Sequence, residues 1–390
     1  MRKIILTAIL WSLICLSGCS FIDNGESDGQ KDEYAVHTIA MSHKETKNAV
    51  DKVKEFAKCC SDIYMASDKG NTLNVILDEE TVHNMAEYAA KSGLAVTCAG
   101  HDYNFLNYEQ VDDALRKMQN KKNAMTEFYV IDNSGTFHYY NLQYEKQKLT
   151  VITADAIIDQ QNEIRIRLKE KYEPYGFQYT QKGWLILEKA LSRNAEMDMH
   201  IIYRIRPLDE QCREACQRYI MPVNYLSNNL FLTDWDTDSM ERIVFNDLFD
   251  KLYSMRYKKS PDIREYEDGI PKEEFEETVA VFFNISPEKL QEYAQFDVDN
   301  QRYLWQPVDE WNRVQQNQPF PEVTELRRRE DGMIILTVEA VLKEMGTDCS
   351  FRHEVFIKEE GGQWKYAGNK ISDEKEWNIP LYKPRNSAAF

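Results

Sequence analysis

The sequence predicts an α+β fold made of a helical N-terminal part, an antiparallel β-meander and a smaller C-terminal α+β unit. Three observations lead there. Apolar residues recur at helical spacing up to about residue 120, switch to a period of two between residues 127 and 206, and return to helical spacing after Pro207. The chain has 390 residues, 43% of them hydrophobic and 12% aromatic, which is enough for real cores and predicts two or three domains.

Taken in order, the elements begin with a leader. Arg2 and Lys3 precede residues 4–16, an apolar run broken only by Thr7 and Ser12. The stretch between Lys3 and Cys19 reaches about 22 Å as a helix, short of the roughly 30 Å hydrocarbon core, so residues 1–18 read as a signal peptide rather than a span. Leu16-Ser17-Gly18-Cys19 resembles the lipobox of bacterial lipoproteins, in which the cysteine thiol accepts the lipid. That resemblance implies lipidation of Cys19, palmitate among the acyl chains, and anchorage to the outer face of the cell membrane. Two or more chains hold stably where one does not. The alternative is an ordinary signal peptide with an incidental cysteine, as Cys15 is.

Residues 19–38 carry Asp23, Glu26, Asp28, Asp32 and Glu33 with little apolar content, and read as a flexible acidic tether. An N-terminal α+β domain is expected over residues 39–268. Its first helices lie within residues 42–120: one starts at the capping box Ser42/Glu45, a second follows Asp78 and stops at Gly93, and a third covers residues 109–120. The meander occupies residues 127–206, with a hairpin turn at Asp132-Asn133-Ser134-Gly135. Short strands without long helices between them imply no parallel nucleotide-binding sheet. Helices are expected again over residues 209–253, one of them starting at Ser239.

Pro261-Asp262 and Asp268-Gly269 mark a boundary, and residues 269–390 form the expected C-terminal domain. Pro271 opens one helix there, Ser286-Pro287 caps and opens another, and strands follow at residues 333–341, 351–358 and 364–369. Helices followed by a curled antiparallel sheet are the element order of cystatin-like and nuclear-transport-factor-like folds, an analogy without a motif behind it.

The stretches KGWLILEKAL (residues 182–191), EMDMHIIYRIRPL (196–208), NNLFLTDWD (228–236) and FNDLF (245–249) resemble an uncharacterised family of secreted lipoproteins of clostridial Gram-positive bacteria, over about residues 75–371. The resemblance implies attachment outside the cytoplasmic membrane and brings no catalytic residues with it. Gln30-Lys31-Asp32-Glu33 is similar to an acidic surface-export tag of another bacterial phylum, but lies far from Cys19.

The formal charge is −17, and it becomes −19 once a leader holding Arg2, Lys3 and no acidic residue is removed, which repels nucleic acid and anionic lipid. The basic runs Lys121-Lys122 and Arg327-Arg328-Arg329 lie among acids and read as solvated faces. Besides Cys19, the mature chain holds Cys59, Cys60, Cys98, Cys212, Cys216 and Cys349. These permit fifteen full disulfide pairings or none. Cys212 and Cys216 lack the further ligands of a zinc pattern, despite His200 nearby.

Asp234-Trp235-Asp236-Thr237-Asp238 imitates the start of a calcium loop, but Ser239 stands at the glycine position and Phe245 at the bidentate glutamate. Asp238 as a helix cap is the preferred account, and no metal or cofactor is expected. Cys98 three residues before His101 has no electropositive neighbourhood, so no catalytic residue is assigned. The aromatics Tyr303, Trp305 and Trp311 fall in a polar stretch and mark a candidate ligand site, with His353 and Glu354 as polar partners, although ordinary packing explains large rings as well. Two functions stay open: a non-catalytic envelope protein binding a partner protein, wall polymer or small ligand, and a wall- or glycan-directed hydrolase.

Overall fold

The computed structural model describes residues 36–70, 74–98, 104–190, 200–308, 318–372 and 379–385. The leader, Cys19, most of the tether, His101 and Trp311 lie outside the described residues. Strand β1 (His37–Thr38) leads into α1 (His43–Ala66), α2 (Glu79–Lys91), β2 (Val96–Cys98) and α3 (Glu109–Gln119). Four long strands follow: β3 (Ala124–Ile131), β4 (Thr136–Glu145), β5 (Lys148–Ile158) and β6 (Ile164–Glu173). They form a six-stranded sheet in the order β1-β6-β5-β4-β3-β2, antiparallel except between β2 and β3.

Local chemistry sets the helix ends as the sequence predicts. Ser42 Oγ accepts from Glu45 N–H at 3.2 Å while Glu45 Oε2 accepts from Ser42 N–H at 2.8 Å, closing the capping box of α1. Asp78 accepts from Thr81 N–H at 2.6 Å at the start of α2, and Gly93 leaves that helix with φ +86°. Val53, Phe56 and Cys60 of α1 and Met85 of α2 pack on Tyr129, Ile131, Phe137 and Ile152, on one face of the sheet. Val111, Leu115 and Met118 of α3 cover Phe128, Val130 and Leu142 on the other. The sheet is thus buried on both sides, which explains why β5 escapes a search for alternating polarity: Val151, Ile152, Thr153 and Ala154 are all buried.

A second sheet holds β7 (Gly176–Tyr179), β8 (Trp184–Glu188) and β9 (His200–Arg204), antiparallel in that order. Gly183, at φ +90°, starts β8, and a Cβ there would stand 2.3 Å from that of Arg206. Alternate residues of β8 serve two cores. Leu185 and Leu187 pack with α3 and the first sheet, whereas Trp184 and Ile186 pack with Val341 and Phe320 of the C-terminal half.

That half begins with α4 (Glu210–Ala215), which widens into a π-turn over Cys216–Ile220, then β10 (Trp235–Asp236) and α5 (Phe245–Tyr257). After β11 (Ile270–Pro271) come α6 (Lys272–Phe282), α7 (Pro287–Tyr293), β12 (Phe296–Asp297) and β13 (Arg302–Tyr303). A meander of β14 (Phe320–Arg328), β15 (Met333–Val341), β16 (Arg352–Glu360) and β17 (Gln363–Ile371) completes it, and β10 adds to its far edge beside β17.

Leu248, Phe249 and Tyr253, before residue 268, share one buried cluster with Phe275, Tyr303 and Tyr366 after it. One expectation is corrected: no helix starts at Ser239. Asp236 Oδ1 accepts from Asp238 N–H, Ser239 N–H and Ser239 Oγ, making a turn. Asn229 then holds Arg242 O and Val244 N–H, which delays the helix to Phe245 and leaves Asp238 without a capping role.

Candidate functional site

The described residues proposed as a ligand site, Tyr303, Trp305, His353 and Glu354, are spread over β13, the residues after it, and β16. Tyr303 is fully buried, stacks on Phe275 with centroids 3.9 Å apart, and donates to Glu276 at 3.0 Å. Trp305 Nε1 donates to Asp250 at 2.8 Å. His353 lies on β16 in a different neighbourhood, where burial pushes its pKa down to about 4. Held neutral, it accepts from Tyr225 OH at 2.9 Å and donates to Asn369 Oδ1 at 2.7 Å, and Asn369 Nδ2 continues to Thr233 O at 2.8 Å. Glu354 faces outward and pairs with Arg327. Four of the five candidates therefore serve packing and connection, and Trp311 lies outside the described residues.

The stretches that carry the family resemblance do similar work. Asn228 ties Val223 O and Leu230 N–H, Trp235 Nε1 donates to Leu230 O at 2.9 Å, and Asp234 accepts from Ile371 N–H at 2.7 Å. With Asp234 and Asp236 accepting from protein donors, the calcium-like loop is a fastening between β10 and β17. Lys182 and Arg204, from the strand pair around β8, meet the buried cross-strand pair Glu322 and Glu339 of β14 and β15. Arg204 Nη1 is 2.5 Å from Glu322, Lys182 Nζ 2.5 Å from Glu339, and Trp184 Nε1 donates to Glu322 at 3.3 Å. Burial raises Glu322 despite both cations, while Glu339, also desolvated, is lowered by Lys182 and Arg352.

The six cysteines of the described chain are thiols. Cys60 and Cys98 donate to Met85 O and Val82 O inside the first core, and burial pushes Cys98 up to about 12, which makes it a poor nucleophile. Among the described residues no three His, Cys, Asp or Glu side chains converge on a metal position.

The geometry opens instead where α1 runs over the first sheet. The apolar stripe of α1 starts only at Ala49, so its first two turns have nothing to bury. The sheet rows below change in step: β4 passes from Phe137 and Tyr139 to Asn141 and Gln143 on that face, and β3 from Ile131 and Tyr129 to Glu127 and Met125. The result is a groove of about 760 Å³ lined by Lys44, Lys47, Asn48 and Asp51 on one side and Met125, Glu127, Asn141 and Gln143 on the other. Glu127 accepts from Lys52 at 2.7 Å and Tyr139 OH at 2.9 Å, and Gln143 donates to Asn141 at 2.7 Å. Glu45, beside the groove, is held at about 2 by Lys171, 2.6 Å away, and by Ser42. These groups offer amides, ammoniums and a fixed carboxylate, suited to hydrogen-bonding a polar chain.

Sequence reasoning missed this groove because its walls lie about 75 positions apart. The legible signal was the polar end of an inward-facing row, Asn141 and Gln143 in HYYNLQYE. A second groove of about 570 Å³ lies on the C-terminal sheet, between Trp235, Arg242, Met333, Phe356 and Lys370.

Fold and sites together define a mixed α+β protein with buried ionic seams and open, polar grooves. The chain belongs to the Family of unknown function (DUF6070), whose model matches residues 46–385. A comparison with curated proteins finds no match. Among the described residues no helix is long and apolar enough to cross a membrane.

Proposed function

We propose that the protein is an extracytoplasmic lipoprotein, held at the outer face of the cell membrane by lipid on Cys19, that binds a neutral saccharide chain of the cell wall without transforming it. The observation that carries this reading is the groove beneath α1. Its amides Asn48, Asn141 and Gln143 match hydroxyl and acetamido groups, and Met125, 66% exposed, offers an apolar contact. The net charge disfavours a polyanion, so a neutral polymer fits better.

Anchorage is supported by the lipobox and by the way the chain enters the fold. The tether ends at β1, a few residues before Lys44 on the groove wall. Eighteen residues, 19–36, can reach at most about 65 Å when fully extended, which bounds the distance from a lipid on Cys19 to the start of the fold.

Two measurements test the proposal. Wild-type protein should take up a fatty-acid label that Cys19→Ser abolishes. Soluble protein should co-sediment with purified peptidoglycan, and Lys47→Glu combined with Gln143→Leu should reduce the bound fraction at least about tenfold. Equal sedimentation of that variant, with unchanged circular dichroism, removes the groove from the proposal; label retained in Cys19→Ser removes the anchor.

A further inference from the structure

Residues 379–385 lie against α5 in a manner unlike the rest of the chain. Leu381 is 91% exposed, whereas the Arg385 side chain is 4% exposed. Ile379 packs partly buried against the core, so the segment is held by one apolar contact and by the polar contacts of its last residues.

Arg385 is surrounded on three sides. Its Nη1 donates to Asp250 Oδ2 at 2.5 Å and to Gln306 O at 2.5 Å, its Nη2 donates to Asp247 O at 2.5 Å, and its Nε stands 3.2 Å from Asp247 Oδ1. The Arg385 N–H donates to Asp247 Oδ2 at 2.9 Å, and Tyr382 OH donates to the same carboxylate. The receiving wall is fixed independently of the segment. Trp305 Nε1 holds Asp250, and Asn246 Nδ2 ties Leu304 O at 2.7 Å and Gln295 O at 3.2 Å. Asp247 is 1% exposed and Asp250 16%, so two desolvated carboxylates face one guanidinium. Burial raises Asp250 even with Arg385 beside it. Leu381 and Lys383 face solvent on either side of Tyr382.

We propose that Asp247, Asp250 and the Gln306 carbonyl form a recognition pocket for the guanidinium of an arginine-containing peptide, occupied in the structure by the protein's own residues 379–385. Inward-facing anchors at Ile379, Tyr382 and Arg385, with exposed Leu381 and Lys383 between them, are the pattern of a docked extended peptide. Planar fork geometry against two carboxylates and two carbonyls selects arginine over lysine. The pocket lies on the stretch FNDLFD, and its occupancy by the chain itself keeps it from outside peptides until that segment is displaced.

The test uses the full chain with a protease site placed within residues 373–378, cleaved after folding. The severed segment should remain bound through gel filtration, and excess synthetic peptide of residues 379–390 should displace it. The same peptide carrying Arg385→Ala should compete at least about thirtyfold more weakly, the scale of a desolvated charge pair left half made. Arg385→Lys should fall between the two. Equal competition by the alanine peptide, or immediate loss of the severed segment from protein that keeps its circular dichroism, overturns the proposal. Should cleavage unfold the protein, uncleaved Arg385→Ala supplies the second measurement: guanidinium at millimolar concentration should restore hydrogen-exchange protection at α5. Failure to restore it also overturns the pocket.

Discussion

His138 and Asp155 stand directly opposite each other on β4 and β5, with Nδ1 2.9 Å from Oδ1, while the other ring nitrogen lies 3.2 Å from Asp132. Burial alone would lower this imidazole, but hydrogen bonds to Asp132 and Asp155 outweigh it and hold the pKa at about 9. The folded value lies above the ordinary 6.5, so the stabilisation is complete below pH 6.5 and is lost as pH rises through 9. Unfolding free energy should fall by on the order of 3 kcal/mol across that window. Denaturant titrations at pH 6 and pH 10 should show the fall, and His138→Gln should flatten it; an unchanged slope in the variant would contradict the assignment.

His353 acts with the opposite sign. Its folded pKa of about 4 lies below 6.5, so the unfolded chain binds the extra proton between those values and stability declines as pH falls through them. His353→Gln should lessen that decline while costing stability at pH 7, since Tyr225 or Asn369 loses a partner. Together the two histidines place maximal stability near pH 6.5. Thermal melts across pH 4–10 give the profile directly.

Glu45 contributes below that range. Lys171 and the Ser42 cap hold it at about 2, so its share of stability, present above about pH 4.5, is lost as pH falls through 2. The pair is partly exposed, and Lys171→Met should cost only about 0.5–1 kcal/mol at pH 7 and progressively less as pH falls through 2. A cost that is the same at pH 7 and at pH 2 would point to packing instead.

The seam at Glu322 should respond differently to single and double replacement. Arg204→Met leaves Glu322 buried beside Lys182 at 3.9 Å and should cost about 3–5 kcal/mol. Adding Glu322→Leu removes the stranded charge, and Lys182 keeps Glu339. The double variant should therefore be more stable than Arg204→Met alone, a comparison read from chemical denaturation.

At the calcium-like loop, Asp236→Ala should cost about 1 kcal/mol by breaking its turn, and Asp238→Ala less than about 0.5 kcal/mol. Melting temperature should be the same with calcium and with chelator. A calcium-dependent rise lost in Asp234→Ala would restore the metal reading.

What the sequence made legible was local. Ser42 with Glu45, Asp78, and Ser286 before Pro287 each act within a few residues, and all three cap where expected. Strand β14 was hidden by its charges: Glu322 is buried among cations from elsewhere, and Arg327 and Arg328 pair with Glu354 and Glu359 across the sheet. The start of α5 was misplaced because Asn229, fifteen residues earlier, governs it. Likewise the rings of Tyr303 and Trp305 looked exposed only because Glu276 and Asp250, which satisfy them, lie far away in sequence.

The division of β8 between two cores also bears on how such a chain can change over generations. Moving the strand by one position would turn Trp184 toward the first core and away from Glu322, and a leucine into its place on the other side. A cut on either side of this strand would strip apolar partners from one core or the other, so the two halves are expected to be inherited together and insertions to collect in the connections that avoid β8.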